Sequence, residues 1–351
     1  MKATKSKIMS NTFTPPIPQG SNKKPRIHWL DVSRGIAFLM VIYSHLEFCN
    51  DSVMKYFTPV FLTTFFFVSG YLFKEHCSFS KVFEQRTRTL FLPFLCMGMI
   101  MILLSQVLTF NEKVSLADEV KGLLLQNGEN QILWFIAALY VYSVGFYWVE
   151  RWSGNTTRML IVCTVLFILN GIYLKMGLPK IPWHIEAFGN ACFYMGLGKW
   201  YKENEQRICH IIDNKWVVAA TFAFYASIIT VFDLHVSFGN GNWIVDAWSV
   251  TIPGLIVMLY VSKHWFQNSR FLLFVGANTL FYFAFHGKVY SLLQTICHKA
   301  IASDLLASDG AQFAIAVCIV ALDALILILP AMFVNKYCPF LLGKGFKLWK
   351  T

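Results

Sequence analysis

Charge is scarce in this sequence. Only 14% of its 351 residues are Asp, Glu, Lys or Arg, and the acidic ones are fewest, 19 against 30 Lys plus Arg. A soluble domain carries about 25% charged residues. With 56% hydrophobic residues and a mean hydropathy of +0.52, this shortage excludes a disordered chain, a basic nucleic-acid-binding protein and an ordinary soluble enzyme. Paired cysteines are also missing: the nine cysteines are scattered, with no CxxC and mostly apolar neighbours, which argues against disulfides and a metal site. There is no HExxH, no GxSxG elbow and no GxxxxGK[ST] loop. Ser69, within Phe66-Phe67-Val68-Ser69-Gly70-Tyr71, lacks the flanks of a nucleophile elbow. No fixed-period repeat or low-complexity block is visible.

What is present is a succession of apolar runs. A helix needs about 20 mostly apolar residues to cross a bilayer, and ten segments meet or approach this. They are residues 29–49, 57–73, 89–109, 131–149, 158–174, 185–200, 216–232, 243–262, 271–292 and 311–334. The expected fold is therefore all-α, a polytopic membrane domain over 29–335 between a basic tail at 1–28 and another at 336–351. The first tail has no apolar core or cleavage site and does not read as a signal peptide. No further soluble domain is expected. With the N-terminus cytoplasmic, 23 of the 30 Lys and Arg fall on the inside. That bias predicts ten spans with both termini in the cytoplasm.

Ionisable groups inside a span are costly, which makes each a functional candidate. The first span holds the densest set, Leu30-Asp31-Val32-Ser33-Arg34-Gly35 followed by Tyr43-Ser44-His45. Arg34 and His45 are eleven residues apart, three helical turns and roughly 16 Å of rise, on nearly one face. One helix thus projects a cation near the cytoplasmic mouth and an imidazole beyond mid-membrane. Snorkelling of Arg34 and ordinary packing of His45 explain each residue singly but not their shared face. Arg86 and Arg88 enter the third span from the same side, where guanidinium forks suit phosphate oxygens, although positive-inside anchoring explains one of them. His286 in the ninth span is expected at the depth of His45. Glu186, Asp246 and Asp323 are carboxylates in or near spans that could support a histidine, contact an acceptor or pair locally. Trp134, Trp183, Trp243 and Trp248 fall near outer ends, where an aromatic belt is the first explanation and sugar stacking the second.

These phrases, in this order, resemble the membrane-bound acyltransferase-3 family, which includes envelope sugar O-acetylases of the fucose 4-O-acetylase type. The resemblance runs from about Arg26 to Tyr337. It is most specific in Ile27-His28-Trp29-Leu30-Asp31, Arg34-Gly35 and the R-x10-H spacing to His45. It continues through Phe65 to Tyr71, the arginines before Pro93, Leu133-Trp134-Phe135, Phe193 to Gly198, and Gly276-Ala277-Asn278-Thr279-Leu280 leading to His286. The resemblance implies transfer of an acyl group from cytoplasmic acetyl-CoA, a co-substrate and not a bound cofactor, to a hydroxyl of an envelope glycan or its lipid-linked precursor. It gives Arg34 and His45 essential roles and Arg86 and Arg88 a supporting one. The arginine motif is R-x-R where many relatives have R-x-x-R, which leaves open which arginine matters. Larger relatives add a periplasmic hydrolase-like domain, which is not expected here.

The implied enzyme is an O-acetyltransferase of the bacterial inner membrane. Its partners are the lipid bilayer, an acyl-CoA and a glycan acceptor, with no nucleic acid. Arg34, Arg86 and Arg88 would hold CoA phosphates. His45 would serve as general base or transient acyl carrier. The rival from another class is a transporter or flippase of glycolipid precursors without chemistry of its own, which shares the spans and buried charges. The internal two-fold repeats of many such folds are not visible in this sequence.

Overall fold

The computed structural model describes residues 26–74, 77–108, 115–126, 133–238, 244–301 and 308–345. Most of the N-terminal tail, Lys113, Trp243, Lys347 and Lys350 lie outside them. Every regular element among the described residues is helical. In chain order these are α1 (His28–Ser44), α2 (Asp51–Phe57), α3 (Phe61–Tyr71), α4 (Phe79–Arg86), α5 (Leu92–Leu108), α6 (Leu116–Leu125), α7 (Trp134–Ser153) and α8 (Thr156–Lys175). There follow α9 (Phe188–Ile212), α10 (Lys215–Phe232), α11 (Ile244–Asp246), α12 (Ile252–Tyr260), α13 (Arg270–Ala277), α14 (Thr279–Ala300), α15 (Asp309–Ile326) and α16 (Ile328–Tyr337).

Among the described residues, five helical stretches are long and apolar enough to cross a membrane: Asp51–Tyr71, Phe79–Val107, Thr156–Lys175, Lys215–Phe232 and Asp309–Tyr337. The other five expected segments are also helical, but shorter, broken or more polar. Their position explains why. α1 has only 17 residues and buries Asp31 and Ser33 with its apolar side chains, and α9 buries Asn190 and Lys199. These helices face protein, where polar groups find partners that lipid would deny them. Lys199, only 4% exposed, donates to Glu150 of α7 at 2.8 Å with Glu203 at 3.8 Å.

Two expected spans are not single helices. Residues 271–292 divide at Asn278 into α13 and α14, which runs on to Ala300. The described part of 243–262 comprises α11, a π turn at Ala247–Thr251, α12 and the start of a second π turn at Val261–Trp265. The hydropathy of a run does not register such breaks, because the flanking residues stay apolar. The short helices α2 and α6 were not anticipated as separate elements.

The contact between α1 and α13 sets the position of Arg34. A Cβ on Gly276 would meet the Asp31 carbonyl oxygen at 1.7 Å, and one on Gly35 would meet the Leu272 carbonyl oxygen at 2.5 Å. The two backbones touch there, as small residues allow in membrane bundles. At the opposite end of the chain, Lys344 lies beside Arg26, and Arg26, Arg270, Lys336 and Lys344 line one groove. The two ends of the described chain therefore meet at one end of the bundle.

Candidate functional site

A cavity of about 520 Å³ opens at this end of the bundle, and Arg34, Arg86, Arg88 and Lys344 line it, with no carboxylate in its wall among the described residues. Arg34 projects from the second turn of α1. It is held by Asp31 one turn earlier, and Asp31 also takes Arg26. Asp31 is 2% exposed, so a buried carboxylate fixes one edge of the guanidinium. The Arg34 Nε, also buried, has no partner among the described residues and remains available as a donor. Asp31 was not singled out from the sequence as a positioning residue, although an acid three residues before an arginine on a helix is the signal for such a pair.

Arg86 ends α4, and Arg88 lies in the π turn Thr87–Phe91 that joins α4 to α5. Residues two apart fall on different sides of a regular helix. Here both side chains nevertheless line the same cavity, with a π turn beginning between them, a distortion that recurs at functional sites. The R-x-R spacing thus places both arginines at the entrance.

The other end of α1 carries the imidazoles. His45 is the C-cap residue of α1 and is exposed. Its ring lies 5.7 Å from that of His286 and is stacked parallel to Tyr290 at 6.2 Å. His286 is 1% exposed, with its Nδ1 2.9 Å from the Tyr282 carbonyl oxygen. A carbonyl only accepts, so Nδ1 carries the proton and the neutral ring keeps its lone pair on Nε2. That Nε2 is buried and has no partner among the described residues. Asp323 of α15 is fully buried, and neither of its oxygens has a hydrogen-bond partner there. Its chain neighbour Ala324 offers its carbonyl to the Tyr282 hydroxyl, which donates to it at 2.9 Å. His45, His286 and Asp323 thus share one neighbourhood, with Tyr290 as a member that the sequence did not single out.

Aromatic rings separate the two stations. Phe65, Phe135 and Phe283 line the inner part of the cavity, with Phe283 5.4 Å from Phe65 and 5.0 Å from Phe135. Phe38, four residues after Arg34 on the same face of α1, touches Phe283 at 4.8 Å and His286 at 5.3 Å. This layer lies between the cationic mouth and the imidazole pair.

The remaining candidates sit elsewhere. Glu186, in the 3-10 turn Pro182–Ala187, accepts the Ile181 N–H at 2.9 Å and meets His184 Nδ1 at 3.2 Å. The Trp134 ring lies tilted against that of His184, with centroids 4.7 Å apart. These two form a loop clasp, with local pairing the stronger reading for Glu186. Asp246 is half-buried in α11 and lines neither the cationic cavity nor the contacts around His45.

A family described as an acyltransferase domain matches residues 27–332. No curated protein and no solved structure matches the chain. Nearly nine-tenths of the sequence lies inside the matched region, from the residue before α1 into α16, and it includes every element that carries the arginines and histidines above. The chain belongs to the acyltransferase-3 family of membrane acyltransferases.

Proposed function

We propose that the chain is an O-acetyltransferase of the bacterial cytoplasmic membrane, with both termini inside and ten spans. It takes the acetyl group of cytoplasmic acetyl-CoA and delivers it to a hydroxyl of an envelope glycan or its lipid-linked precursor. The observation that carries this reading is the two-station layout of α1, with Arg34 in a cavity lined by cations at one end and His45 beside His286 at the other. Arginine forks are the side chains of choice for phosphate oxygens, so Arg34, Arg86 and Arg88 bind the CoA phosphates. The pantetheine arm passes the phenylalanine layer and presents the thioester near His45.

There His45 takes the proton of the acceptor hydroxyl as the oxygen attacks the thioester carbonyl. The C–S bond breaks, an ester forms, and the imidazolium returns its proton to the CoA thiolate. The His286 ring, 5.7 Å from that of His45, supports the position of the His45 ring and leaves the single hydroxyl proton to His45.

The test is CoA release from radiolabelled acetyl-CoA by the purified chain supplied with envelope glycan or lipid-linked precursor. Arg34→Lys keeps the charge but loses the fork, so it should raise the KM for acetyl-CoA. Unchanged donor kinetics in that variant contradict the assignment of the cavity.

A further inference from the structure

Beyond the three arginines, the cationic cavity has a wall that the functional reading above does not use. It is the turn after α16, Pro339–Leu342 followed by Gly343, Lys344 and Gly345. All of it lies past residue 332, where the family match ends, so nothing in the family assignment covers it. From charge placement alone, Lys344 is one of the cytoplasmic cations that set topology.

The structure places this segment closely. Leu342 is 7% exposed and joins the main core, and the turn is closed by Gly343 N–H to the Phe340 carbonyl at 2.9 Å and Lys344 N–H to the Pro339 carbonyl at 3.0 Å. Gly343 has φ +66°, and a Cβ there would lie 1.9 Å from the Arg88 carbonyl oxygen. Only glycine combines that backbone conformation with that approach. The C-terminal strap is therefore seated on the π turn that carries Arg88.

The seat delivers Lys344 to the mouth of the cavity. Its Nζ donates to Asn335 Oδ1 at 2.6 Å, and Asn335 Nδ2 donates to Asn278 Oδ1 at 2.6 Å, at the break between α13 and α14. This chain of amides holds the amine in place without neutralising it, and no carboxylate lies within ion-pair distance of it among the described residues. Burial and the nearby Arg26 push the Lys344 amine below its ordinary pKa. Asp31 is shared between Arg26 and Arg34, so Lys344 adds positive charge at the mouth that a polyanion would favour.

We infer that Lys344, carried on a C-terminal strap seated by Gly343 against Arg88, is a fourth phosphate-binding cation of the acyl-CoA site. The inference rests on the cavity being the donor site. The strap closes one side of the mouth, so the donor's phosphates are held between α1, the α4–α5 junction and the C-terminus. A lysine is a point charge and not a fork, so it strengthens the hold on phosphate without dictating its orientation.

The test is binding of radiolabelled CoA to the purified full-length chain in phosphatidylcholine nanodiscs, for the wild type and for Lys344→Gln, Lys344→Arg, Gly343→Val and Arg34→Gln. Loss of one charge-assisted phosphate contact on a partly solvated amine weakens CoA binding about five- to tenfold in Lys344→Gln. Lys344→Arg restores it, which a purely structural role for the side chain would not require. Gly343→Val unseats the strap and weakens binding without changing any charge. Wild-type affinity in Lys344→Gln or Gly343→Val, alongside weakened binding in Arg34→Gln, overturns this inference and leaves the donor site standing. Failure of the wild type to bind CoA overturns both. Dependence on Lys344 for retention of phosphatidylglycerol, with none for CoA, assigns the amine to a lipid headgroup and overturns the inference.

Discussion

Adding one methyl group at Gly276 should disturb the proposed donor site without changing any charge. A Cβ at this position falls 1.7 Å from the Asp31 carbonyl oxygen, whereas a relaxed carbon–oxygen contact needs about 3.3 Å. Gly276→Ala therefore requires α13 and α1 to part by about 1.6 Å, and the obstacle is backbone that no rotamer change can remove. Overpacking of this kind costs about 1–3 kcal/mol. The same shift carries Asp31, and with it Arg34, away from the cavity wall opposite Arg88, and misplacement of a binding group by about 1 Å can cost about a hundredfold in activity. The contrasting variant is Gly310→Ala near the start of α15, where an added Cβ meets nothing within 4 Å. It replaces a poor helix former by a good one and is neutral or stabilising by up to about 1 kcal/mol. Thermal unfolding and CoA binding of both variants in nanodiscs provide the check. Wild-type melting and CoA binding in Gly276→Ala, or greater damage in Gly310→Ala, would refute this packing of α13 on α1.

Two further perturbations separate scaffold from chemistry. Glu150→Gln removes the carboxylate 2.8 Å from the buried Lys199 ammonium and keeps Glu203 at 3.8 Å. Breaking a buried pair costs about 3–5 kcal/mol and the second carboxylate offsets part of it, so a loss of about 2–3 kcal/mol is expected in detergent unfolding. An unchanged midpoint would contradict the pairing. Phe283→Leu thins the aromatic layer between the cavity and His286, so CoA release without acceptor should rise several-fold relative to the wild type. The same uncoupled rate in both would show that Phe283 does not divide the two stations.

The helical segments and the face shared by Arg34 and His45 were legible because both follow from a 3.6-residue period and a 20-residue span. The family was legible in phrases such as Leu30-Asp31 with Arg34-Gly35. What stayed hidden depends on partners distant in sequence. The break at Asn278 is invisible to hydropathy because Phe274 to Phe285 are mostly apolar on both sides of it. The joint placement of Arg86 and Arg88 in one cavity needs a π turn that the R-x-R spacing does not announce. Glu186 read as a carboxylate in a span, but its partners are the Ile181 amide and His184 of its own loop. The meeting of His45 and His286 was anticipated from depth alone. Their orientation, with the Nε2 lone pair of His286 left free, depends on the Tyr282 carbonyl.

The central claim is that α1 binds the donor at one end and works on the acceptor at the other. The most direct measurement is made on His45→Ala, comparing equilibrium binding of CoA with acetyl transfer in the same preparation. The two-station layout predicts donor binding within about twofold of the wild type, because His45 is roughly 16 Å along the helix from Arg34, together with loss of acetyl transfer. Retained transfer in His45→Ala, or loss of transfer that comes only with loss of CoA binding, would contradict it.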